Sequence, residues 1–263
     1  WKLEVNGDVN TPQKLDFEQI QKLPKVELVG VLECAGNGRG LYEPSVPGLQ
    51  WEWGAVGNAR WAGVRLSDVL KLAGVSSTAK EVVFDGADVP VGTMPEFQRS
   101  IPLNKAMQPE VMLAYQMNGE PLPTSHGFPL RLVVPGWAGD CWVKWVTRIT
   151  VSSTEFDGFF MKTAYRHPGK VVKPGTAVDP AKMRPVTELS VKSAIGYPLD
   201  GTQIDMGAEI VIKGVAWTGT SRVNTVHVST DGGANWNPAR PGAYHGEFSW
   251  RTWNYNFTPN QDG

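Results

Sequence analysis

The feature that most constrains this chain is a change of pattern near residue 150. Up to that point strand-type and helix-type segments are interleaved, and beyond it only short β-type runs occur. Interleaved elements have to build a layered α+β unit, whereas short strands separated by turn signals pack as two facing sheets. In the first part, Lys2–Val9 alternates and turns at Asn6-Gly7, Asp16–Leu23 reads as a short helix closed by Pro24, and Val26–Leu32 is a β-branched strand. Val64–Ala73 carries apolar residues at helical spacing and stops at Gly74, which predicts an amphipathic surface helix. Glu81–Phe84, Glu110–Asn118 and Leu130–Val134 read as strands, and Leu103–Met107 as a short helix. Residues 157–185 are punctuated by Pro and Gly without clean periodicity and read as a connector. After it come Leu189–Ile195, Glu209–Trp217, Val223–Ser229 and Phe248–Phe257, the β runs of an incomplete sandwich.

Charge and cysteine content narrow the function classes. A formal net charge of −1 and a pI near 6.5 give no field that would hold nucleic acid or an acidic membrane surface, so any anion specificity must be local. No run approaches 18 uninterrupted apolar residues, so no membrane span is expected, and no signal peptide is visible. The chain opens at Trp1 and stops at Gly263 just after a strand-like segment, as a processed or partial chain would. Its only two cysteines, Cys34 and Cys141, exclude a disulfide scaffold and a four-thiolate zinc site, although they could pair with each other. Among the turns, Ser229–Trp236 matches an Asp-box pattern but occurs once, so it reads as a hairpin turn set by Asp231 and Gly233 with Trp236 packed beneath, not as a propeller blade.

The segment Val26–Leu32 empties into Glu33-Cys34-Ala35-Gly36-Asn37-Gly38-Arg39-Gly40, a loop with three glycines in five positions where backbone can approach a ligand closely. A thiol there has access, and Arg39 is a positive neighbour that favours its thiolate, so Cys34 can serve as metal ligand or nucleophile. Taken alone, a single cysteine would be read as a small buried apolar residue.

Its context changes that reading. Cys34-Ala35-Gly36-Asn37-Gly38-Arg39 resembles the cysteine loop of the sulfite oxidase family, and the block Gly54–Leu66 is similar to the same family's pterin-side segment. Leu113–Gly119, His126–Arg131, Val133–Trp137 and Val143-Lys144-Trp145 resemble later blocks in the same order. Met183-Arg184-Pro185, Gly214–Trp217 and Val226–Gly233 resemble the family's immunoglobulin-like dimerisation domain, in the manner of bacterial sulfite dehydrogenases and sulfane dehydrogenases.

The resemblance implies a mixed α/β molybdopterin-binding domain over 1–150, a connector over 151–186 and an immunoglobulin-like β-sandwich over 187–263, with the N-terminal part of the first and the C-terminal part of the last missing. It implies Cys34 as the molybdenum ligand, since a soft thiolate suits that metal, with molybdopterin supplying the other sulfurs. It places Arg39, Tyr115 and Trp51 in the substrate pocket, Arg39 offering forked donors to an oxyanion and Tyr115 a hydroxyl. It assigns His126, Arg131, Trp142, Val143 and Lys144 to the pterin and its phosphate, with Asp85 as a further pterin contact. Read singly, Arg39 is a surface charge, Tyr115 a core residue and the His126–Arg131 pair turn chemistry before a strand. One departure stands out: a position where some relatives carry a lysine is Pro47 here, removing one expected cation.

The implied activity is two-electron oxidation of sulfite to sulfate by oxygen-atom transfer, or of a protein-bound sulfane sulfur, with a non-catalytic assembly module or a sulfoxide-type reductase as alternatives. There is no Cys-x-x-Cys-His haem motif, so electrons are expected to pass to a cytochrome c-type acceptor on another chain, and a homodimer or a heteromer with a haem subunit in a bacterial periplasm is expected.

Overall fold

The computed structural model describes residues 1–260. Two five-stranded sheets make up the first part. One has the order β2 (Gln13–Leu15), β1 (Leu3–Gly7), β10 (Arg148–Ser152), β5 (Glu81–Asp85), β6 (Gln98–Pro102), with β1 and β10 parallel. The other runs β3 (Lys25–Glu33), β4 (Val56–Arg65), β7 (Met112–Met117), β8 (Glu120–Pro121), and β9 (Arg131–Val133) adds to β7. Between them lies helix α2 (Leu66–Ala73), whose Leu66, Val69, Leu70 and Ala73 enter one core with Leu3, Val5, Phe84, Ile101 and Leu113. Burying four such side chains contributes on the order of 6 kcal/mol before entropy is counted. Helix α1 (Phe17–Gln21) is opened by a capping box in which the Asp16 carboxylate accepts from the Gln19 N–H while the Gln19 side chain accepts from the Asp16 N–H.

Helix α2 starts later than its periodicity suggests. Val64 and Arg65 belong to β4, which pairs along its length with β3 from Lys25 opposite Val64 to Glu33 opposite Val56. Alternation in β4 is blurred because Trp61, Ala62, Gly63 and Val64 are all buried on a doubly covered sheet. Gly63 lets β7 pass close by: a Cβ there would collide with the Leu113 carbonyl, at the point where the β4–β7 register shifts.

The connector has structure of its own. It contains a short helix α4 (Phe159–Lys162) and a hairpin of β11 (Arg166–Pro168) with β12 (Met183–Pro185). Strand β6 and the short helix α3 (Leu103–Ala106) precede it in the first part. The last part is a four-stranded antiparallel sheet, β13 (Lys192–Tyr197), β14 (Ile210–Trp217), β18 (Arg251–Phe257), β17 (Arg240–Pro241), faced by a two-stranded ribbon of β15 (His227–Val228) and β16 (Asn237–Pro238). The expected strand Val223–Ser229 is thus only two residues long. The single Asp-box segment closes that ribbon: Asp231 accepts from the Asn235 N–H at 2.9 Å, and these bonds hold its carboxyl down at about 2. Trp236 lies 61% exposed on the turn, not beneath it.

The two parts share a seam. Val31, Ala138, Leu189 and Trp217 form a common apolar cluster. The Leu189 N–H donates to the Gly136 carbonyl at 2.9 Å, the Val31 N–H to the Phe248 carbonyl at 2.9 Å, and Asn58 to the Ser249 hydroxyl at 3.2 Å.

Candidate functional site

Pairing of β3 with β4 ends at Glu33, and the next residue, Cys34, turns out of the sheet with its N–H held by the Ala55 carbonyl at 2.9 Å. The Gly36 N–H points back at Cys34 Sγ, 3.4 Å away, and the Asn37 side chain accepts from the Ala55 N–H at 3.0 Å. Cys34 is half-buried and Cys141 fully buried, and both thiols are free. Burial pushes the Cys141 thiol up to about 12, so at neutral pH it is an inert neutral group.

Two cavities open on Cys34, of about 410 and 450 Å³, and both are lined by Leu32, Cys34, His126 and Arg131. The first extends over Asp140, Trp142, Val143, Lys144 and Tyr165, the second over Trp51 and the backbone of 54–59. Together they form a groove of the size that takes an organic cofactor.

Arg131 is the electrostatic centre of this groove. It is 3% exposed at the start of β9, stacked 4.9 Å from the Trp61 ring and 5.8 Å from Trp142, and donates to the His126 and Trp142 carbonyls at 3.0 and 3.1 Å. Among the described residues no carboxylate pairs with it, and its Nε has no partner. Burial lowers its pKa to about 10, so it stays charged, and with only carbonyl and ring partners it would be further stabilised by an anion joining it. Lys144 adds a second cation, donating to the Ser125 carbonyl at 3.1 Å and lying 4.0 Å over the Trp145 ring, with its pKa lowered by burial first and by Arg131 next.

The expected pterin-side residues Cys34, His126, Arg131, Trp142, Val143 and Lys144 therefore converge on one groove, and Trp51, 46% exposed, stands at its second lobe. Three other expectations meet a different arrangement. Tyr115 points into the core, 6% exposed and edge-on to Phe17 at 5.9 Å, and lines neither cavity, because β7 turns that face toward α1. Asp85 is opposite Arg148 in the β5–β10 register and is absorbed by an ion pair with it; Asp88, three residues on, reaches the groove instead. Arg39 lies below the cysteine loop, its guanidinium in a slot between Gly36 and Gly48, donating to the Leu49 carbonyl at 3.4 Å, and is not among the groove walls.

The phenol that does reach Cys34 is Tyr165, in the connector. Its backbone is left-handed, φ 51°, unusual for a bulky residue, and the Val186 N–H donates to its carbonyl at 2.7 Å. The ring packs on Phe97 and Phe160 with the Arg99 guanidinium 5.7 Å away, and burial followed by the Asp140 and Cys34 charges raises its pKa, keeping a proton available for donation. Behind it Arg99, fully buried, pairs with Asp140 at 2.7 Å and donates to the Val186 carbonyl at 3.1 Å. Burial pushes the Asp140 carboxyl up to about 6 against the pull of Arg99. A tyrosine in a stretch without periodicity carries no local signal of this role; only its basic neighbours Arg166 and His167 mark it as unusual.

The donor set fits a molybdopterin. Among the described residues no cluster of three or more His, Cys, Asp or Glu could hold a metal, so a metal in this groove would take most of its donors from a carrier, and the Cys34 thiol is placed to offer one sulfur. The unpaired buried guanidinium of Arg131 and the Lys144 ammonium fit the carrier's phosphate. No described helix is long and apolar enough to cross a membrane.

Comparison with known proteins agrees with this chemistry. The oxidoreductase molybdopterin binding domain matches residues 1–160 and the Mo-co oxidoreductase dimerisation domain matches 183–255. Mitochondrial sulfite oxidase of Rattus norvegicus is 43% identical over 91% of this chain, and sulfite oxidase of Arabidopsis thaliana 38% identical over 90%; the chain covers 45% and 63% of those proteins. Nitrate reductase [NAD(P)H] of Hordeum vulgare is 34% identical over 96% of the chain, which spans 31% of it. Among solved structures, the sulfane dehydrogenase SoxCD from Paracoccus pantotrophus superposes over 98% of this chain and 63% of its own with a TM-score of 0.85 at 32% identity. The chain thus spans less than half the length of the mitochondrial sulfite oxidases it resembles. On its sequence, its two matched domains and its cysteine-centred groove, the chain belongs to the sulfite oxidase family of molybdopterin-binding oxidoreductases.

Proposed function

We propose that this chain is the molybdenum-cofactor part of an enzyme that oxidises sulfite to sulfate, with water supplying the added oxygen and two protons and two electrons released. The observation that carries the proposal is the convergence of the Cys34 thiol, the unpaired Arg131 guanidinium and the Tyr165 phenol on one groove. Cys34, His126, Arg131 and Lys144 would hold the cofactor, with Trp142 and Val143 as walls. When bound, molybdopterin supplies a metal centre able to exchange two electrons and an oxygen atom with a sulfur lone pair. The Tyr165 phenol donates a hydrogen bond to oxygen on the substrate, and its raised pKa keeps that proton in place at neutral pH. Trp51 shields the second lobe from water. Arg39 fixes Gly36 and Gly48 against each other, and its charge acts on the Tyr165 phenol from the loop side of the groove. Electrons leave one at a time to a cytochrome c-type acceptor on another chain, such as a haem subunit, and the matched dimerisation domain supports a dimer or assembly with a partner.

A second reading is a sulfane dehydrogenase component. It draws on the superposition of nearly the whole chain on SoxCD and on Pro47 standing where some relatives carry a cation. Steady-state turnover of sulfite against a protein-bound persulfide, with ferricyanide and then cytochrome c as acceptor, separates the two. Turnover of sulfite that disappears in Cys34→Ser supports the first; turnover of the persulfide alone supports the second, and no turnover of either by fully loaded protein refutes both.

A further inference from the structure

Among the described residues Glu33, immediately before the proposed metal ligand, is 1% exposed, and most of what holds it comes from the other end of the chain. One carboxylate oxygen accepts from Lys192 Nζ at 2.6 Å and from Asn37 Nδ2 at 3.0 Å, and the other accepts from Trp217 Nε1 at 2.8 Å. Lys192 and Trp217 sit opposite one another in the β13–β14 register of the C-terminal sheet. Lys192 also reaches the Asn37 carbonyl at 3.4 Å, and Asn37 in turn accepts the Ala55 N–H while Ala55 accepts that of Cys34. Both oxygens of a buried carboxylate are thus satisfied only when the C-terminal sheet is docked.

We propose that the Glu33–Lys192–Trp217 clamp is a positioning device by which the C-terminal domain sets the geometry of the Cys34 loop, so that this domain serves the cofactor site as well as any subunit contact. The loop's backbone is bonded to the neighbouring segment 51–55, with the Gly38 N–H donating to the Glu52 carbonyl at 2.7 Å and the Gly40 N–H to the Trp51 carbonyl at 2.9 Å, and Gly38 is in the left-handed region at φ 87°; what ties the two segments to the C-terminal sheet comes through side chains. Arg39 holds the loop to Leu49, while Asn37 and Glu33 are the polar groups through which it is held from Lys192. Groups that orient a metal ligand from behind are worth roughly 10- to 100-fold in metal retention when removed.

The part of the proposal that concerns metal rests on Cys34 being the ligand, so the test has one readout that does not. In full-length protein purified without molybdopterin, alkylation of Cys34 by iodoacetamide reports loop geometry, because Cys141 is fully buried and silent. Lys192→Met leaves the Glu33 carboxylate buried without its counter-charge, held by Asn37 and Trp217 alone, and Cys34 is expected to react about tenfold faster well below the melting temperature. Molybdenum retained by protein made with the cofactor is expected to fall at least tenfold. The double variant Glu33→Gln/Lys192→Met removes the stranded charge while keeping an acceptor for Trp217, and is expected to return alkylation to within about threefold of the wild type. If Lys192→Met does not fold, Trp217→Phe removes a single donor and is expected to move both readouts in the same direction. A lower melting temperature with alkylation and metal retention both within twofold of the wild type would overturn the proposal, since that is what a purely structural seam gives. Faster alkylation in a protein that never binds molybdenum would leave the clamp standing and refute the functional reading instead.

Discussion

Replacing Arg131 by methionine tests the electrostatic design of the groove. Burial takes this guanidinium from its ordinary value down to about 10, and at about 1.4 kcal/mol per tenfold change the charged side chain costs the empty protein roughly 3 kcal/mol. The depressed value means that the charged form is disfavoured in the folded state. The penalty is complete at neutral pH and fades only as pH rises through about 10 toward the guanidinium's ordinary value. Against it stand two charge-assisted bonds to the His126 and Trp142 carbonyls, each worth roughly 1.5–3 kcal/mol, and stacking on Trp61 worth about 1. Methionine keeps much of the volume between the two tryptophans, so the cofactor-free protein is expected to lose no more than about 3 kcal/mol. Cofactor binding is expected to suffer more, because the bound anion then loses its buried cation, a truncation worth about 3–5 kcal/mol, or roughly 10²- to 4 × 10³-fold in affinity. The assay is pterin and molybdenum content of purified protein beside urea unfolding of the cofactor-free form. Full loading of Arg131→Met would refute the assignment of this residue to the cofactor's anionic group.

Other substitutions probe the remaining parts of the site. Cys34→Ser, at a half-buried position in a glycine loop, should leave unfolding within about 0.5 kcal/mol of the wild type while abolishing turnover, as checked by urea titration and sulfite oxidation. Tyr165→Phe should fold normally and lower kcat/KM by about 10²-fold, whereas Tyr115→Phe should change kcat/KM less than threefold; steady-state kinetics on both decides which phenol serves the groove. Asp140→Ala strands Arg99 without a counter-charge and should cost about 3–5 kcal/mol in unfolding free energy. Gly63→Ala forces β4 off the Leu113 carbonyl and should cost at least about 2 kcal/mol, read as a lowered melting temperature.

How much was legible in sequence depended on whether the signal was local. The glycine loop after a strand, with its cysteine, is written in adjacent residues, and the structure keeps it: β3 ends at Glu33 and Cys34 turns out beside the groove. Helix α2 was readable from its apolar spacing, but its start was not, since Val64 and Arg65 obey the helical period while their backbone pairs with β3 and β7. Strand β4 escaped because burial on both faces erases alternation. The side-chain roles that moved did so for tertiary reasons. Asp85 was taken by Arg148 across a strand pair joined by 63 residues of chain, and Tyr165 reaches Cys34 only because a non-glycine residue adopts a left-handed turn and is held by Val186. The Glu33 clamp spans 159 residues to Lys192, a separation at which no local pattern exists.

The central claim is that Cys34 binds molybdenum held by a pterin in this groove. X-ray absorption at the molybdenum edge of loaded wild type and Cys34→Ser tests it most directly. The expected result is three sulfur neighbours in the wild type and two in the variant, the lost one being the Cys34 thiolate. An unchanged sulfur count in Cys34→Ser, or loaded wild type with no molybdenum to measure, would contradict it.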